Sequence, residues 1–237
     1  MLTSWSCLRQ GINVLAQDLP LLLGAWLVIL GVQQLIDLLI PASWIGVGLL
    51  AQIVVLAPLY AGQYLLTLRV VRNQPAKFQD LFRGFPFWGT LAAVSLLSSL
   101  ATGIGFILLI VPGIVWALMF SFAPIVVLDR GDTSEKTAWI GAVEAMKCSK
   151  DLTEGYRGTL FGISLLLVLP SLVVIVLLSL SASTPEFAIP TWAIELFALL
   201  SGTLFLGPLH AASYMVAYDA ITGLVRPSEL AEADSAV

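Results

Sequence analysis

Long apolar runs alternate along this chain with short segments in which polar and charged residues return at helical spacing. Six runs are span-length: Leu21 to Ile40, Trp44 to Thr67, Gly89 to Val111, Ile114 to Leu128, Gly158 to Leu180 and Trp192 to Ala217. A helix of about 20 apolar residues crosses the roughly 30 Å hydrocarbon layer of a bilayer. Backbone polar groups in lipid must be paired within their own segment, so each run is predicted to be helix; the alternation that a barrel needs is missing. The expected fold class is all-α, an integral membrane bundle of six transmembrane helices forming a single polytopic membrane domain over 1–237. Pro20 suits the first turn of the first span. The fourth run is short, and Pro112 in a first turn would start it near Leu108 and end the third run near Ile107.

The segments between hairpins carry amphipathic stripes. Trp5, Leu8, Ile12 and Leu15 form one, and Phe78, Leu81, Phe82 and Phe85 a second. Trp139, Ile140, Val143 and Met146 form a third, interrupted by Lys136. Such helices are expected to lie along the cytoplasmic face with aromatics in the headgroup zone, or to pack on the ends of the spans. Each segment ends in an Asp-Leu pair: Asp18-Leu19, Asp80-Leu81 and Asp151-Leu152. The second span of each hairpin carries a small residue, proline and an aliphatic: Ala57-Pro58-Leu59, Ala123-Pro124-Ile125 and Gly207-Pro208-Leu209. The unit of interfacial helix plus helical hairpin is thus expected three times in parallel, over 1–75, 76–133 and 134–237.

Composition and charge sharpen this picture. The chain is 59% hydrophobic and 11% charged with mean hydropathy +0.97, against about 25% charged residues in soluble domains. Its Lys and Arg residues all avoid the connections Pro41 to Ser43, around Val111, and Ser181 to Thr191. Basic residues resist translocation, so both termini are expected on the cytoplasmic side of the membrane. A net charge of -4 builds no basic patch, which argues against nucleic acid. Cys7 and Cys148 lie far apart on the reducing side, with neither disulfide nor metal-site spacing. No cofactor or metal is implied, and no nucleophile is paired with a base.

The polar exceptions follow the prolines. Tyr60, Gln63 and Tyr64 lie two, five and six residues after Pro58, and His210, Ser213 and Tyr214 occupy the same offsets after Pro208. They are candidates for a polar pocket between the second and sixth spans, or for repair of the carbonyls that proline frees. Arg69 and Asp219, each eleven residues past its proline, form a candidate ion pair. Asp37 and Glu195, with Gln33, Gln34 and Gln52 near Asp37, are candidates for an outer polar mouth. Gly158-x-x-x-Gly162 and Ala57-x-x-x-Ala61 offer close-approach faces, and Pro170 predicts a kink in the fifth span.

Several of these residues carry a resemblance. Pro112-Gly113-Ile114, the run Ala123 to Asp129, Ala145-Met146-Lys147 with Ser149, Gly155 and Leu160-Phe161 resemble YciC-like bacterial inner-membrane proteins. The related membrane domain of glycerophosphoryl diester phosphodiesterases is similar, with Pro58, Gly62, Asp80-Leu81-Phe82 and Gly84-Phe85 fitting its earlier half. The resemblance implies a six-span membrane protein with no catalytic residues; the phosphodiesterase activity of fused relatives belongs to a separate soluble domain with no counterpart here. The expected function is a non-enzymatic accessory or scaffold protein whose partners are membrane lipids or another membrane protein, in an oligomeric state that the residues leave open. The alternatives are a small-solute or lipid-headgroup permease using the polar pocket, and an interfacial lipid enzyme using Asp151 and Glu154.

Overall fold

The computed structural model describes residues 3–133, 141–183 and 205–235. Regular structure among them is helical throughout: α1 (Ser4–Gln17), α2 (Leu19–Leu39), a 3-10 turn (Ala42–Trp44), α3 (Ile45–Val71), a 3-10 segment (Phe78–Phe87), α4 (Trp88–Leu108), α5 (Ile110–Met119), α6 (Ala123–Thr133), α7 (Ala142–Thr153), α8 (Arg157–Ser183) and α9 (Gly207–Ser235). Four stretches are long and apolar enough to cross a membrane: Leu19–Leu39, Gly46–Val71, Phe78–Leu108 and Ile110–Asp129. A fifth candidate is the pair Ala142–Thr153 and Arg157–Pro170, bent by 91° into a broken span or a re-entrant loop. Of the sixth expected run, residues 192–204 lie outside the described residues, as do Trp139 and Ile140.

Local signals place the element boundaries. Thr3 and Ser6 form a reciprocal capping box at the start of α1, and Pro20 sits in the first turn of α2. Asn73, at φ 53°, closes α3 in the left-handed region, and the Gln74 N–H returns to the Arg69 carbonyl at 2.8 Å. The third and fourth runs part at Leu109, with Pro112 in the first turn of α5, so the break comes two residues before Val111. Gly155, at φ +82°, makes the turn between α7 and α8 that a residue with a Cβ would strain.

At the centre stands α3, with Leu56, Leu59, Ala61, Leu65, Leu66 and Leu68 buried against α2, α4, α6, α9 and the 3-10 segment. The 3-10 segment runs antiparallel to α3 in backbone contact. Gly84 lies on the Pro58 carbonyl and Gly62 on the Leu81 carbonyl, so a Cβ at either position would collide with backbone. Of the two expected placements, at the headgroups or packed on the spans, the structure shows this segment packed along α3. Its aromatic ridge faces outward: Phe78, Phe82 and Phe85 are exposed, Phe78 meeting Phe82 edge to face and Phe82 stacking on Phe85.

The stripes of the other two amphipathic helices are split between the bundle and the outside, Leu15 buried and Leu8 and Met146 packed on the core. In α1 the buried positions are Cys7, Gly11, Val14 and Leu15, while Trp5 and Ile12 are exposed. In α7 they are Ala145, Ser149 and Thr153, while Val143 is exposed. Lipid is as apolar as a leucine side chain, so helix association in a membrane is driven by close approach of small residues instead of by hiding large ones. Gly11 meets Ser213 of α9, and Gly162 of α8 meets Ser4. Gly158, the other half of that small-residue motif, has nothing near it.

The residues that suggested a repeat also differ in conformation. Asp80 is buried within the 3-10 segment and Gly84 is packed on α3, whereas Asp151 is exposed at the end of α7 and Gly155 turns in open space.

Candidate functional site

Proline creates the first polar demand on this bundle. Pro58 has no N–H, which leaves the Val54 carbonyl without its helical donor; the Trp88 indole N–H supplies one at 3.0 Å. At Pro124 the helix is interrupted outright, and Ser149 of α7 bridges the gap. Its Oγ donates to the Met119 carbonyl at 2.8 Å and accepts from the Phe122 N–H at 3.2 Å. Each repair comes from the chain segment that follows, not from the polar side chains after the proline.

Those side chains divide into two groups. Gln63, Ser213 and Tyr214 are buried, Gln63 beside Leu22 of α2, Ser213 beside Gly11 of α1 and Tyr214 beside Ser164 of α8. The Gln63 Nε2 donates to the Leu22 carbonyl at 3.5 Å, while Gln63 Oε1 and Ser213 Oγ find no partner. Tyr214 shares a 2.7 Å hydrogen bond with Ser164 of α8, and His210 stacks on its ring at 4.3 Å. Tyr60 and Tyr64 instead line a cavity of about 550 Å³ with Ser98, Ser99, Thr102 and Ser121 of the next hairpin. Of the residues proposed for a pocket between the second and sixth spans, Gln63, Ser213 and Tyr214 are buried, while Tyr60 and Tyr64 line this space between α3, α4 and α5. Tyr60 also lines a second cavity of about 240 Å³ with Gln33, Gln52 and Ser95. Near that cavity Gln52 donates to the exposed Asp37 at 2.9 Å, so the outer-mouth expectation places these two together; Glu195 lies outside the described residues.

The charged residues converge at the other end of α3. Arg72 reaches Asp129 of α6 and Asp219 of α9, both at 2.7 Å, and the Tyr218 hydroxyl donates to the second oxygen of Asp129 at 3.0 Å. Arg69 reaches Asp80 at 2.9 Å, where Arg83 joins at 3.0 Å and the Lys77 N–H at 2.9 Å. The expected Arg69–Asp219 pair is thus corrected by one helical turn: Arg72 bonds to Asp219 and Arg69 to Asp80. Burial works against the Arg72 charge, but the hydrogen bonds and fields of Asp129 and Asp219 outweigh it, holding its pKa above the ordinary arginine value.

The offset after Pro124 marks Asp129 in the sequence, whereas nothing there nominates Arg72 as its partner. Arg69 and Arg72 are three residues apart and so share a helix face, and Asp129 sits five past Pro124 as Gln63 does past Pro58. The network ties α3 to α6, α9 and the 3-10 segment. Its charges are compensated by opposite charges, a pattern that holds helices together and nominates no nucleophile. Among the described residues, no group of three or more His, Cys, Asp or Glu is placed to hold a metal. The bundle so described is helical and membrane-type, and compared with known proteins the chain matches no family model, no curated protein and no solved structure.

Proposed function

We propose that this chain is a non-enzymatic polytopic protein of the bacterial inner membrane, a membrane-embedded accessory or scaffold of the YciC-like kind. On this reading it has six spans in three hairpin units, and both termini face the cytoplasm. The observation that carries the reading is the burial of the polar side chains after the prolines of α3 and α9, two helices that pack together. Gln63, Ser213 and Tyr214 would have to face water in a solute path, and they are buried. The ion network at the end of α3 supports it further, because a guanidinium shared by α6 and α9 resists the rocking that alternating access needs. A scaffold requires a rigid body with an available surface, and the outward ridge of Phe78, Phe82 and Phe85 is one.

A small-solute or lipid-headgroup permease is the second reading, favoured by the position of Tyr60 between two cavities. Photo-crosslinking residues placed at Phe82 and Val143 in living cells, paired with solute flux in proteoliposomes, separate the two. A single recurrent protein partner, with flux no higher than in empty vesicles, is expected. Saturable flux that falls on Gln63→Leu would overturn the scaffold reading.

A further inference from the structure

The larger cavity has a chemistry of its own. Six of its lining residues carry hydroxyls: Tyr60, Tyr64, Ser98, Ser99, Thr102 and Ser121. None of the residues lining it is charged. Its volume of about 550 Å³ falls within the usual range for sites that hold a small molecule. Two of the hydroxyls are committed within their own helices, Ser98 to the Val94 carbonyl at 2.7 Å and Ser121 to the Leu118 carbonyl at 2.8 Å. The hydroxyls of Tyr60, Tyr64, Ser99 and Thr102 make no hydrogen bond among the described residues. A serine or threonine in a helix can turn back onto its own backbone, but a tyrosine hydroxyl lies too far from it to do so.

Unpaired donors at bilayer depth are costly, so an acceptor from outside the chain would stabilise them. The absence of charge excludes a phosphate or ammonium as the group held within the cavity. The walls, α3, α4 and α5, belong to stretches apolar enough to cross the membrane, where the surrounding molecules are lipids. The uncharged acceptors that a bilayer supplies are the ester carbonyls of its glycerolipids. We infer that this cavity binds one diacyl phospholipid of the surrounding membrane, with its ester carbonyls accepting from Tyr60 and Tyr64, its tails directed toward the bilayer and its headgroup outside the cavity. The site is independent of the scaffold reading, since a bound lipid serves a scaffold and a permease alike.

An ester-to-ether comparison tests it, because an ether lipid keeps headgroup and tails but lacks the carbonyls. The full chain in detergent is equilibrated with equal amounts of dioleoyl phosphatidylethanolamine and its diether analogue, and the lipid retained is read by native mass spectrometry. One lipid per chain is expected, with the ester form enriched about tenfold, equivalent to about 1.4 kcal/mol. The double variant Tyr60→Phe with Tyr64→Phe keeps both rings and removes only the two donors, and the enrichment is expected to fall to near one while a lipid is still retained. Equal retention of ester and ether by the unaltered chain, ester enrichment that persists in the double variant, or no retained lipid would each overturn the proposal. Saturable solute flux would leave it standing, so its failure and that of the scaffold reading are distinguishable.

Discussion

Removing the Arg72 guanidinium tests whether the charge network holds the helix ends together. In Arg72→Met the aliphatic stem persists, so packing changes little and the lost terms are the two 2.7 Å bonds to Asp129 and Asp219. The two carboxylates are unequal. The Asp129 side chain is 5% exposed, and taking the guanidinium from a buried carboxylate costs about 3–5 kcal/mol. The Asp219 side chain is 38% exposed, and screening reduces its share to about 0–1 kcal/mol. Tyr218 still donates to Asp129 and softens the loss, so the net destabilisation is expected near the lower end, about 3 kcal/mol. The companion Asp129→Leu removes the buried carboxylate itself. A buried pair replaced by apolar groups is often neutral, so the double variant is expected to cost less than the sum of the single ones by about 2 kcal/mol. Reversible unfolding in detergent, followed by circular dichroism across the two single variants and the double, reads all three values. Additive costs, or a loss below about 1 kcal/mol in Arg72→Met, would refute the claim that Arg72 ties α3 to a buried carboxylate on α6.

Two further outcomes follow from the same geometry. Trp88→Phe leaves the Val54 carbonyl without its indole donor and is expected to destabilise by about 1–2 kcal/mol. Adding Pro58→Ala restores a backbone N–H to that carbonyl, and a double variant no more stable in thermal unfolding than Trp88→Phe alone would contradict this account. For Cys7, burial raises the thiol pKa against a smaller lowering effect of Ser6. The folded chain holds the neutral thiol, so its contribution to stability is complete below the ordinary thiol pKa and lost as pH rises through the higher folded value. N-ethylmaleimide at pH 8 is therefore expected to label the half-buried Cys148 well before Cys7, as read by peptide mass spectrometry; equal rates would contradict it.

Much of the fold was legible because a bilayer imposes local demands. Span length and internally paired backbone are properties of a single segment, so the apolar runs predicted helices at α2, α3, α4 and α5–α6 without knowledge of their neighbours. Pro112 likewise located the start of α5 to within a few residues. The stripes of α1 and α7 were visible as well, but a stripe leaves open which of its residues face lipid and which face the bundle. With lipid as solvent, Trp5, Ile12 and Val143 lose nothing by facing out, and Gly11, Ala145 and Ser149 gain by close approach.

Sequence alone determined that this chain is helical and membrane-type, and it singled out most of the polar residues that matter, including Tyr60, Tyr64 and Asp219. Tertiary structure decided which of them meet. A shift of one turn between α3 and α9 gives Asp219 to Arg72 and sends Arg69 to Asp80; the lateral placement of α4 and α5 opens a cavity beside Tyr60 while Gln63 is buried beside Leu22 of α2. Trp88 and Ser149 could not be matched to Val54 and to the α5–α6 break from spacing, because they arrive from segments far along the chain. The physical reason is common to all of these: hydropathy is summed along one helix, whereas a hydrogen bond or ion pair between helices depends on their relative rotation and register to within an ångström or two, which no single segment encodes.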